Sequence, residues 1–304
     1  MIIGSYTAEM DGKGTGLVVP GGVTTPARSP SYLIKDDRFL YAVNETDDGA
    51  VSSFALDTLE LVSTTPTGGV WPCHLALHPS GYVLAANYGS GSVSVHPVNE
   101  GVLGAYTDLV FHEGSGPNAD RQEGPHAHQV VVHADGTLTV VDLGIDRLLH
   151  YTLADGRLTR TGETAVPPGT GPRHFVVHPS GRWYVVGELS STVLALDAGV
   201  VVEQESTTSS SEHSQPSAIV LDGDLLYVAN RGVDTIAVFE LSPTLRRVAE
   251  VPCGGTWPRD LAVSGGQIYV ANQQSDEVVT FTAGRNPEPT GEVFATGSPT
   301  CVLP

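Results

Sequence analysis

The chain has 304 residues, long enough to bury a large core, and 16% of them are charged. Its 34 acidic side chains outnumber the 15 lysines and arginines, so the formal net charge at pH 7 is -19. This acidity excludes nucleic acid and anionic membranes as expected partners, because both bind basic surfaces. No run of 18 apolar residues occurs and no basic, apolar leader follows Met1, so we expect neither a membrane span nor a signal peptide.

Cysteine usage indicates a reducing compartment. Cys73, Cys253 and Cys301 are odd in number, scattered along the chain and without metal-ligand spacing. We therefore expect a cytoplasmic protein that binds no metal and no other cofactor. The sequence leaves the oligomeric state open.

A repeated unit runs through the chain from Ser29 onward. Each copy begins near a proline, continues into a short apolar run, passes a turn, and then adds a second and a third apolar run. Short runs separated by such turns predict antiparallel strands, and no window shows the apolar spacing of a helix. In chain order the copies begin at Ser29, Trp71, Gly124, Gly171, Gln215 and Trp257.

The spacing of the copies indicates the fold. The prolines that mark them lie 42, 53, 47, 44, 42 and 41 residues apart, at Pro30, Pro72, Pro125, Pro172, Pro216, Pro258 and Pro299. A period of this length with about four strands per unit is typical of β-propeller blades. The sequence therefore predicts an all-β, seven-bladed propeller of four-stranded blades, with residues 1–304 forming a single domain.

The seventh copy is divided between the two ends of the sequence. Residues 298–303 supply one strand, while residues 2–7 resemble the second strand of the other copies and residues 15–19 resemble the third. Joining these strands in one blade closes the ring and leaves no open sheet edge there. We therefore expect the N- and C-terminal strands to share the seventh blade.

Two loops of each predicted blade lie on the same face of the propeller, namely the loop before the first strand and the loop after the second. Functional residues of propellers collect at the channel opening on such a face. Histidine, arginine and glutamate concentrate in these loops, chiefly in blades 2 to 6. The positions of interest are His74, His126, His128, Arg173, Arg259, Glu45, Glu188 and Arg231.

The longest irregular segment, residues 112–123, leads directly into the pair His126 and His128 and accounts for the 53-residue spacing. A long polar loop inside a compact repeat is usually functional or disordered, and the adjoining histidines favour function. We expect Arg121 and Gln122 of this segment to cover the site and to contact the substrate. Solvation at the surface is the alternative for both.

His126 and His128 are two residues apart on a predicted strand, so their side chains point to the same side. One of them can act as a general acid or base near neutral pH. Metal ligation and simple hydrogen bonding in the channel remain alternatives. His74 is a possible substrate contact at the corresponding loop of blade 2, or a residue that forms a hydrogen bond inside its blade.

Arg173 and Arg259 can each present a planar fork to a carboxylate or a phosphate. Ion pairing with neighbouring carboxylates is the alternative for both. Glu188 either activates a water molecule or orients Arg173. Glu45 occupies the corresponding position in blade 1 and is a weaker candidate.

Three features carry a family resemblance: GSGPNADRQEGPHAH from Gly114, PRHFVVHPSGRWYVVGEL from Pro172, and the repeated YVAN-type strands. Over essentially the whole chain, the sequence resembles the lactonase family of seven-bladed propellers. That family includes the cycloisomerase-type 6-phosphogluconolactonases of the pentose phosphate pathway and, more distantly, the fungal carboxymuconate-lactonising enzymes. The resemblance implies hydrolysis of a lactone ring, or its reverse, at the channel mouth without a redox cofactor.

The resemblance also implies a catalytic set. It consists of a histidine of PHAH, the arginine of PRH, the glutamate of GEL and a further arginine. In this sequence these fall on His126 or His128, Arg173, Glu188, and Arg231 or Arg259. Where the family often has asparagine before the glutamate, this chain has Gly187, which predicts a looser loop around Glu188.

We predict a lactone hydrolase that acts on a small anionic substrate such as 6-phosphogluconolactone. Arg173 and Arg259 would hold the anionic group, and a histidine with Glu188 would activate water. A muconate-type lactonising cycloisomerase needs the same residue types and remains an alternative. A second alternative is a non-catalytic propeller that binds a protein or peptide, because fold alone does not fix function.

Overall fold

The strands predicted from the apolar runs are present in the computed structural model, which describes residues 1–304. The second strand of a repeat is a nearly continuous apolar run. It is buried on both faces, as in Leu225–Arg231, where six consecutive side chains are buried. The outer strands alternate between half-buried and exposed side chains, as in Val200–Ser206. Burial of each strand thus follows from its hydrophobic pattern.

Residues 4–169 form one compact unit, which contains the first three complete sheets, here called blades 1 to 3. The chain begins with β1 (Ile2–Ser5), β2 (Gly16–Val18) and β3 (Thr24–Pro26). Blade 1 consists of β4 (Leu33–Lys35), β5 (Phe39–Asn44), β6 (Ala50–Ala55) and β7 (Leu61–Pro66). Blade 2 consists of β8 (Pro72–His78), β9 (Tyr82–Asn87), β10 (Ser92–Asn99), β11 (Val102–Leu103) and β12 (Asp108–Phe111). Blade 3 consists of β13 (Ala127–Val132), β14 (Leu138–Asp142), β15 (Arg147–Ala154) and β16 (Arg157–Ala165).

Residues 170–304, together with residues 1–3, form the second compact unit, which contains blades 4 to 6. Blade 4 consists of β17 (Pro172–Val177), β18 (Trp183–Gly187), β19 (Thr192–Asp197) and β20 (Val200–Ser206). Blade 5 consists of β21 (Gln215–Asp222), β22 (Leu225–Arg231), β23 (Thr235–Glu240) and β24 (Arg246–Pro252). Blade 6 consists of β25 (Pro258–Ser264), β26 (Gln267–Asn272), β27 (Glu277–Thr282) and β28 (Pro289–Ala295), and the last strand is β29 (Pro299–Leu303).

The seventh sheet has the strand order β29-β1-β2-β3. The N- and C-terminal strands therefore share one blade, as predicted. Seven antiparallel sheets, with only a three-residue 3₁₀ turn at Ala8–Met10, make the protein all-β and confirm the predicted seven-bladed propeller. No helix of the structure has the length and apolar character needed to cross a membrane.

Blade 2 departs from the predicted four strands. Its third strand, β10, is eight residues long and pairs with β12 over Ser92–Val95 and with the short β11 over Val98–Asn99. The extra strand β11 contributes only two residue pairs. A hairpin this short leaves no separate apolar run in the sequence.

Neighbouring blades pack through apolar side chains from both sheets. In the first unit, blades 2 and 3 share a core that includes Leu84, Val95, Val140 and Leu149. Full burial of one such side chain stabilises the fold by about 1.5–3 kcal/mol. These sheets form a rigid frame, and the loops at their ends carry the polar residues of interest.

Candidate active site

A β-bulge near the start of the first strand sets apart one residue in several blades. The strand register skips Cys73 in blade 2, His128 in blade 3, Arg173 in blade 4 and Arg259 in blade 6. A bulge leaves its extra residue outside the regular ladder and re-aims its side chain. His128 is therefore the structural equivalent of Arg173 and Arg259, whereas His126 lies before the first strand of its blade.

A second set of equivalent positions lies at the ends of the second strands. Glu188, Arg231, Tyr88 and Glu45 each follow the residue that pairs with the start of the third strand, in blades 4, 5, 2 and 1. The blades therefore carry side chains of different chemical types, acidic, basic or aromatic, at the same structural position. Tyr88 was not a candidate in the sequence, although its position after Asn87 is that of Glu188 after Gly187.

Glu188 lies between two arginines, and all three side chains are buried. Its Oε2 atom is 3.3 Å from Nε of Arg173 and 2.7 Å from Nη2 of Arg231. The exposed fractions of the three side chains are only 3%, 5% and 7% for Glu188, Arg173 and Arg231. Arg231, one of the two candidates for the second arginine, thus pairs with this carboxylate, and Arg259 is half-buried. We call these three residues the arginine cluster.

Arg231 is fixed by contacts on other sides as well. Its Nε donates a hydrogen bond to the carbonyl oxygen of Gln215 at 3.0 Å. Its guanidinium carbon lies 5.5 Å from the ring centroid of Trp257, within the range of a cation–π contact. The guanidinium plane therefore has little freedom to turn away from Glu188.

The loop that carries Glu188 is tightly held, so the looser loop predicted from Gly187 is wrong. The backbone N–H groups of Glu188 and Ser190 donate to the carbonyl oxygens of Gly171 and Thr170, at 2.9 Å and 3.2 Å. A Cβ atom at position 187 would lie 2.4 Å from Oγ of Ser190 and 2.9 Å from the carbonyl oxygen of Thr170. Glycine is therefore required here by close packing.

Asp260, which follows the bulge of blade 6, adds a second carboxyl group in the same unit. Its Oδ2 accepts a hydrogen bond from the backbone N–H of Val302 at 2.9 Å. Burial raises the pKa of Asp260 to about 6, although hydrogen bonds from the backbone and the charge of Arg173 act in the opposite direction. A carboxyl group that titrates near neutral pH beside an arginine is a common feature of functional sites.

A second cluster, in the unit of residues 4–169, is centred on Tyr88. The ring of His126 stacks on Tyr88 at 4.4 Å between centroids, and the ring of His128 meets Tyr88 edge-on at 5.6 Å. Nδ1 of His126 lies 3.0 Å from the carbonyl oxygen of Tyr88, and Nε2 lies 3.1 Å from a carboxylate oxygen of Glu123. Because a carbonyl only accepts hydrogen bonds, Nδ1 of His126 carries a proton. Arg121 donates from Nη2 to the Tyr88 hydroxyl at 3.3 Å.

Two of the predicted substrate contacts have other roles in the structure. Gln122 is fully buried, and its amide Nε2 donates to the carbonyl of Leu143 at 2.9 Å, which holds the insertion, residues 112–123, against blade 3. His74 is buried, stacks on Tyr32 at 4.0 Å and accepts the backbone N–H of Val130 at 3.4 Å. His74 therefore packs and links the first strands of blades 2 and 3.

Glu45 shows how the same position serves a different purpose in blade 1. It is buried and accepts hydrogen bonds from the hydroxyl of Tyr6 at 2.7 Å and from the hydroxyl of Ser31. The carboxylate of Glu188 is bound by guanidinium groups instead.

At the bulge of blade 2, the thiol of Cys73 lies 3.8 Å from Nδ1 of His128. No group of three or more His, Cys, Asp or Glu side chains is arranged to hold a metal ion.

Comparison with known proteins identifies the family. The chain matches the lactonases with a seven-bladed β-propeller over residues 3–304. The protein belongs to the lactonase family. It is 36% identical over 304 aligned residues to a 6-phosphogluconolactonase of Bacillus subtilis, an alignment that covers 91% of this chain and 86% of the relative.

Solved structures support the same family. A protein from Bacteroides fragilis superimposes with a TM-score of 0.90 at 28% identity, covering 99% of this chain and 96% of the other. The periplasmic gluconolactonase of Pseudomonas aeruginosa gives a TM-score of 0.84 at 28% identity, covering 99% and 97%. For a lactonase, buried guanidiniums can hold an anionic group or an oxyanion, and an imidazole can transfer a proton.

Proposed function

We propose that this lactonase hydrolyses the lactone ring of an anionic sugar derivative, with 6-phosphogluconolactone as the first substrate to test. The observation that carries the proposal is the arginine cluster, in which Glu188 holds the guanidinium groups of Arg173 and Arg231 in fixed positions. The 36% identity to the 6-phosphogluconolactonase of Bacillus subtilis supports the choice of substrate.

Charge at the arginine cluster favours an anion in an otherwise acidic protein. Arg173 and Arg231 carry two positive charges against the single negative charge of Glu188, whereas the whole chain has a net charge of -19. Guanidinium groups bind carboxylates and phosphates through paired hydrogen bonds. Arg259, at the bulge position equivalent to Arg173, is a further candidate for the anionic group.

The hydrolytic step requires a group that removes a proton from water, and we assign this role to the histidines. His128 stands at the bulge equivalent to Arg173, which makes it the preferred base. His126 is the second choice, because its Nδ1 donates to the carbonyl of Tyr88 and its other nitrogen, Nε2, lies 3.1 Å from a carboxylate oxygen of Glu123. Glu188 serves to orient Arg173 and Arg231, since its Oε2 atom contacts both guanidinium groups.

The reaction then follows from these roles. Water adds to the lactone carbonyl carbon as the histidine accepts one of its protons, and Arg173 stabilises the oxyanion of the tetrahedral intermediate. The bond between the carbonyl carbon and the ring oxygen breaks next. The proton held by the histidine passes to that oxygen, which leaves a hydroxy acid.

The experiment compares three lactones at matched concentrations, each corrected for spontaneous opening. They are 6-phosphogluconolactone, the uncharged glucono-lactone and muconolactone. A kcat/KM for the phosphorylated lactone well above that for the uncharged one supports the anion-binding role. Equal values would overturn that role, and turnover of muconolactone alone would favour the cycloisomerase alternative.

We also propose that the protein acts in the cytoplasm. None of the three cysteines forms a disulfide bond, which suits a reducing compartment. Activity in a cytosolic fraction, with none in the cell envelope, is the expected result of fractionation. Recovery of the protein from the envelope fraction would contradict it.

A further inference from the structure

Asp142, the last residue of β14, binds residues at both ends of the insertion, which is the irregular segment of residues 112–123. One carboxylate oxygen, Oδ2, is 2.6 Å from Nδ1 of His112, the first residue of the insertion. The other, Oδ1, accepts the backbone N–H of His126 at 2.8 Å and that of Gly144 at 3.0 Å. The side chains of Asp142 and His112 are 0% and 1% exposed. A single buried carboxylate thus joins the start of the insertion to its end.

The equivalent residue in four other blades is an asparagine, and its role there is simpler. Through their amide groups these asparagines donate to a nearby carbonyl or hydroxyl oxygen, and they are Asn44, Asn87, Asn230 and Asn272. In blade 3 the backbone N–H groups of His126 and Gly144 both donate to Oδ1 of Asp142. The second carboxylate oxygen, Oδ2, accepts a hydrogen bond from Nδ1 of His112 when that nitrogen carries a proton, a role that the amide nitrogen of an asparagine cannot take.

The residues after Asp142 add to the same connection. The carbonyl oxygen of Leu143 accepts a hydrogen bond from the amide of Gln122, and its N–H donates to the carbonyl of His126 at 3.0 Å. A Cβ atom on Gly144 would lie 1.9 Å from the carbonyl oxygen of Gly124, so the two backbones touch there. Residues 142–144 therefore hold the end of the insertion at several points, and Asp142 also holds its start.

This arrangement fixes the groups around Tyr88. The clamped insertion carries Arg121 to the hydroxyl of Tyr88, and the clamped backbone of His126 places its ring against the same tyrosine. We propose that Asp142 and His112 are positioning residues of this lactonase, which hold His126 and Arg121 in their working positions before substrate binds. This inference rests on the proposed function, because it assigns the two residues a part in the same reaction.

The test uses two substitutions of His112 that differ in one hydrogen-bond donor. His112→Ala removes the donor to Asp142, whereas His112→Asn keeps an N–H near the position of Nδ1. We expect kcat for the phosphorylated lactone to fall about 10-fold in His112→Ala, since small misplacements of reacting groups cost rates of this order or more. His112→Asn should restore most of kcat, with KM little changed in both.

Hydrogen exchange supplies a second readout that does not depend on the substrate. Amides of residues 113–125 should exchange faster in His112→Ala and at the native rate in His112→Asn, because local protection reports local stability. His78→Asn is the control, since His78 is a largely buried histidine at the end of β8, and its Nε2 lies 2.9 Å from the carbonyl oxygen of Gly136. It should leave both kcat and exchange in the insertion unchanged.

The outcomes separate this inference from the proposed function. Unchanged hydrogen exchange in His112→Ala would show that the contact between His112 and Asp142 does not hold the insertion. Faster exchange with an unchanged kcat would show that this contact has no role in catalysis. If the wild-type protein opens none of the lactones, the proposed function fails. The exchange measurement then still tests whether His112 and Asp142 hold the insertion in place.

Discussion

Arg231 approaches Glu188 more closely than Arg173 does, with Nη2 of Arg231 2.7 Å from Oε2 and Nε of Arg173 3.3 Å from the same atom. The carboxylate is buried, so each guanidinium compensates a charge that water cannot reach. The stability and the chemistry of the arginine cluster are therefore linked. Removal of one member changes the environment of the other two.

Arg231→Ala should destabilise the protein by up to about 3–5 kcal/mol, because it removes one of the two guanidinium groups that compensate a buried carboxylate. The free energy of unfolding from urea titrations measures this. The control is Arg246→Ala, which breaks the exposed pair Arg246–Glu240 of similar length, 2.8 Å. That loss should be below about 1 kcal/mol. Equal losses in the two variants would show that the buried pair adds nothing to stability.

Asp260→Asn should change the pH dependence of stability in a defined direction. The pKa of Asp260 is raised to about 6 in the folded protein, above its value in the unfolded chain, so the native state binds the proton more tightly. The wild type therefore loses up to about 3 kcal/mol relative to Asp260→Asn as the pH rises from 4 to 6. Urea unfolding of both proteins at pH 4, 5, 6 and 7 gives the difference. A difference independent of pH would contradict the raised pKa.

His96 should change the pH dependence of stability in the opposite direction to Asp260, so that its contribution to stability increases as the pH rises. Burial lowers its pKa to about 4, so the folded state favours the neutral ring. Its contribution is fully present above the unfolded pKa near 6.5 and is lost as the pH falls toward 4, roughly 3 kcal/mol in total. The stability advantage of the wild type over His96→Gln should accordingly be larger at pH 8 than at pH 5. Thermal unfolding at the two pH values tests this, and an advantage that grows at pH 5 would contradict it.

Gly187→Ala should destabilise the loop of Glu188. The added methyl group would lie 2.7 Å from a side-chain carbon of Thr170 and 2.9 Å from its carbonyl oxygen, so the backbone must move. Overpacking of this kind typically costs 1–3 kcal/mol. Gly124→Ala is the matched control, because a Cβ atom there meets nothing within 4 Å. Equal melting temperatures for the two variants would show that the loop yields without cost.

Much of the fold could be predicted because the repeat is encoded locally. Turn residues and apolar runs recur at a spacing that only blades explain, and the split seventh blade follows from the two incomplete copies. The short β11 could not be predicted, since it adds only two residue pairs to a long β10. The number of compact units also depends on packing that the repeat does not encode.

The candidate site was predicted less completely, because β-bulges that are not evident in the sequence determine which residue of the first strand leaves the regular ladder. His126 and His128 look equivalent in the sequence, yet the bulge in β13 singles out His128. The sequence likewise left Arg231 and Arg259 open as the second arginine, and it could not show that Arg231 contacts Glu188. The roles of His74 and Gln122 in packing depend on neighbours that are distant in the chain.

The role of Asp142 in holding the insertion could not be predicted from the sequence for a related reason. Two of its partners, His112 and His126, lie 30 and 16 positions away along the chain. In the sequence, an aspartate where other repeats have asparagine does not by itself predict a special role. The structure shows the role, because residues at both ends of the insertion bind this carboxylate.

The most direct measurement is the initial rate of 6-phosphogluconolactone opening by the wild-type protein and by Arg173→Ala, corrected for the spontaneous reaction. We expect a large acceleration by the wild type and a loss of at least about 100-fold in the variant, the size expected when one donor to the oxyanion is removed. Arg246→Ala, which removes an equal charge at an exposed position, should keep the wild-type rate. A wild-type rate in Arg173→Ala would contradict the assigned role of the arginine cluster, and no acceleration by the wild type would contradict the proposed substrate.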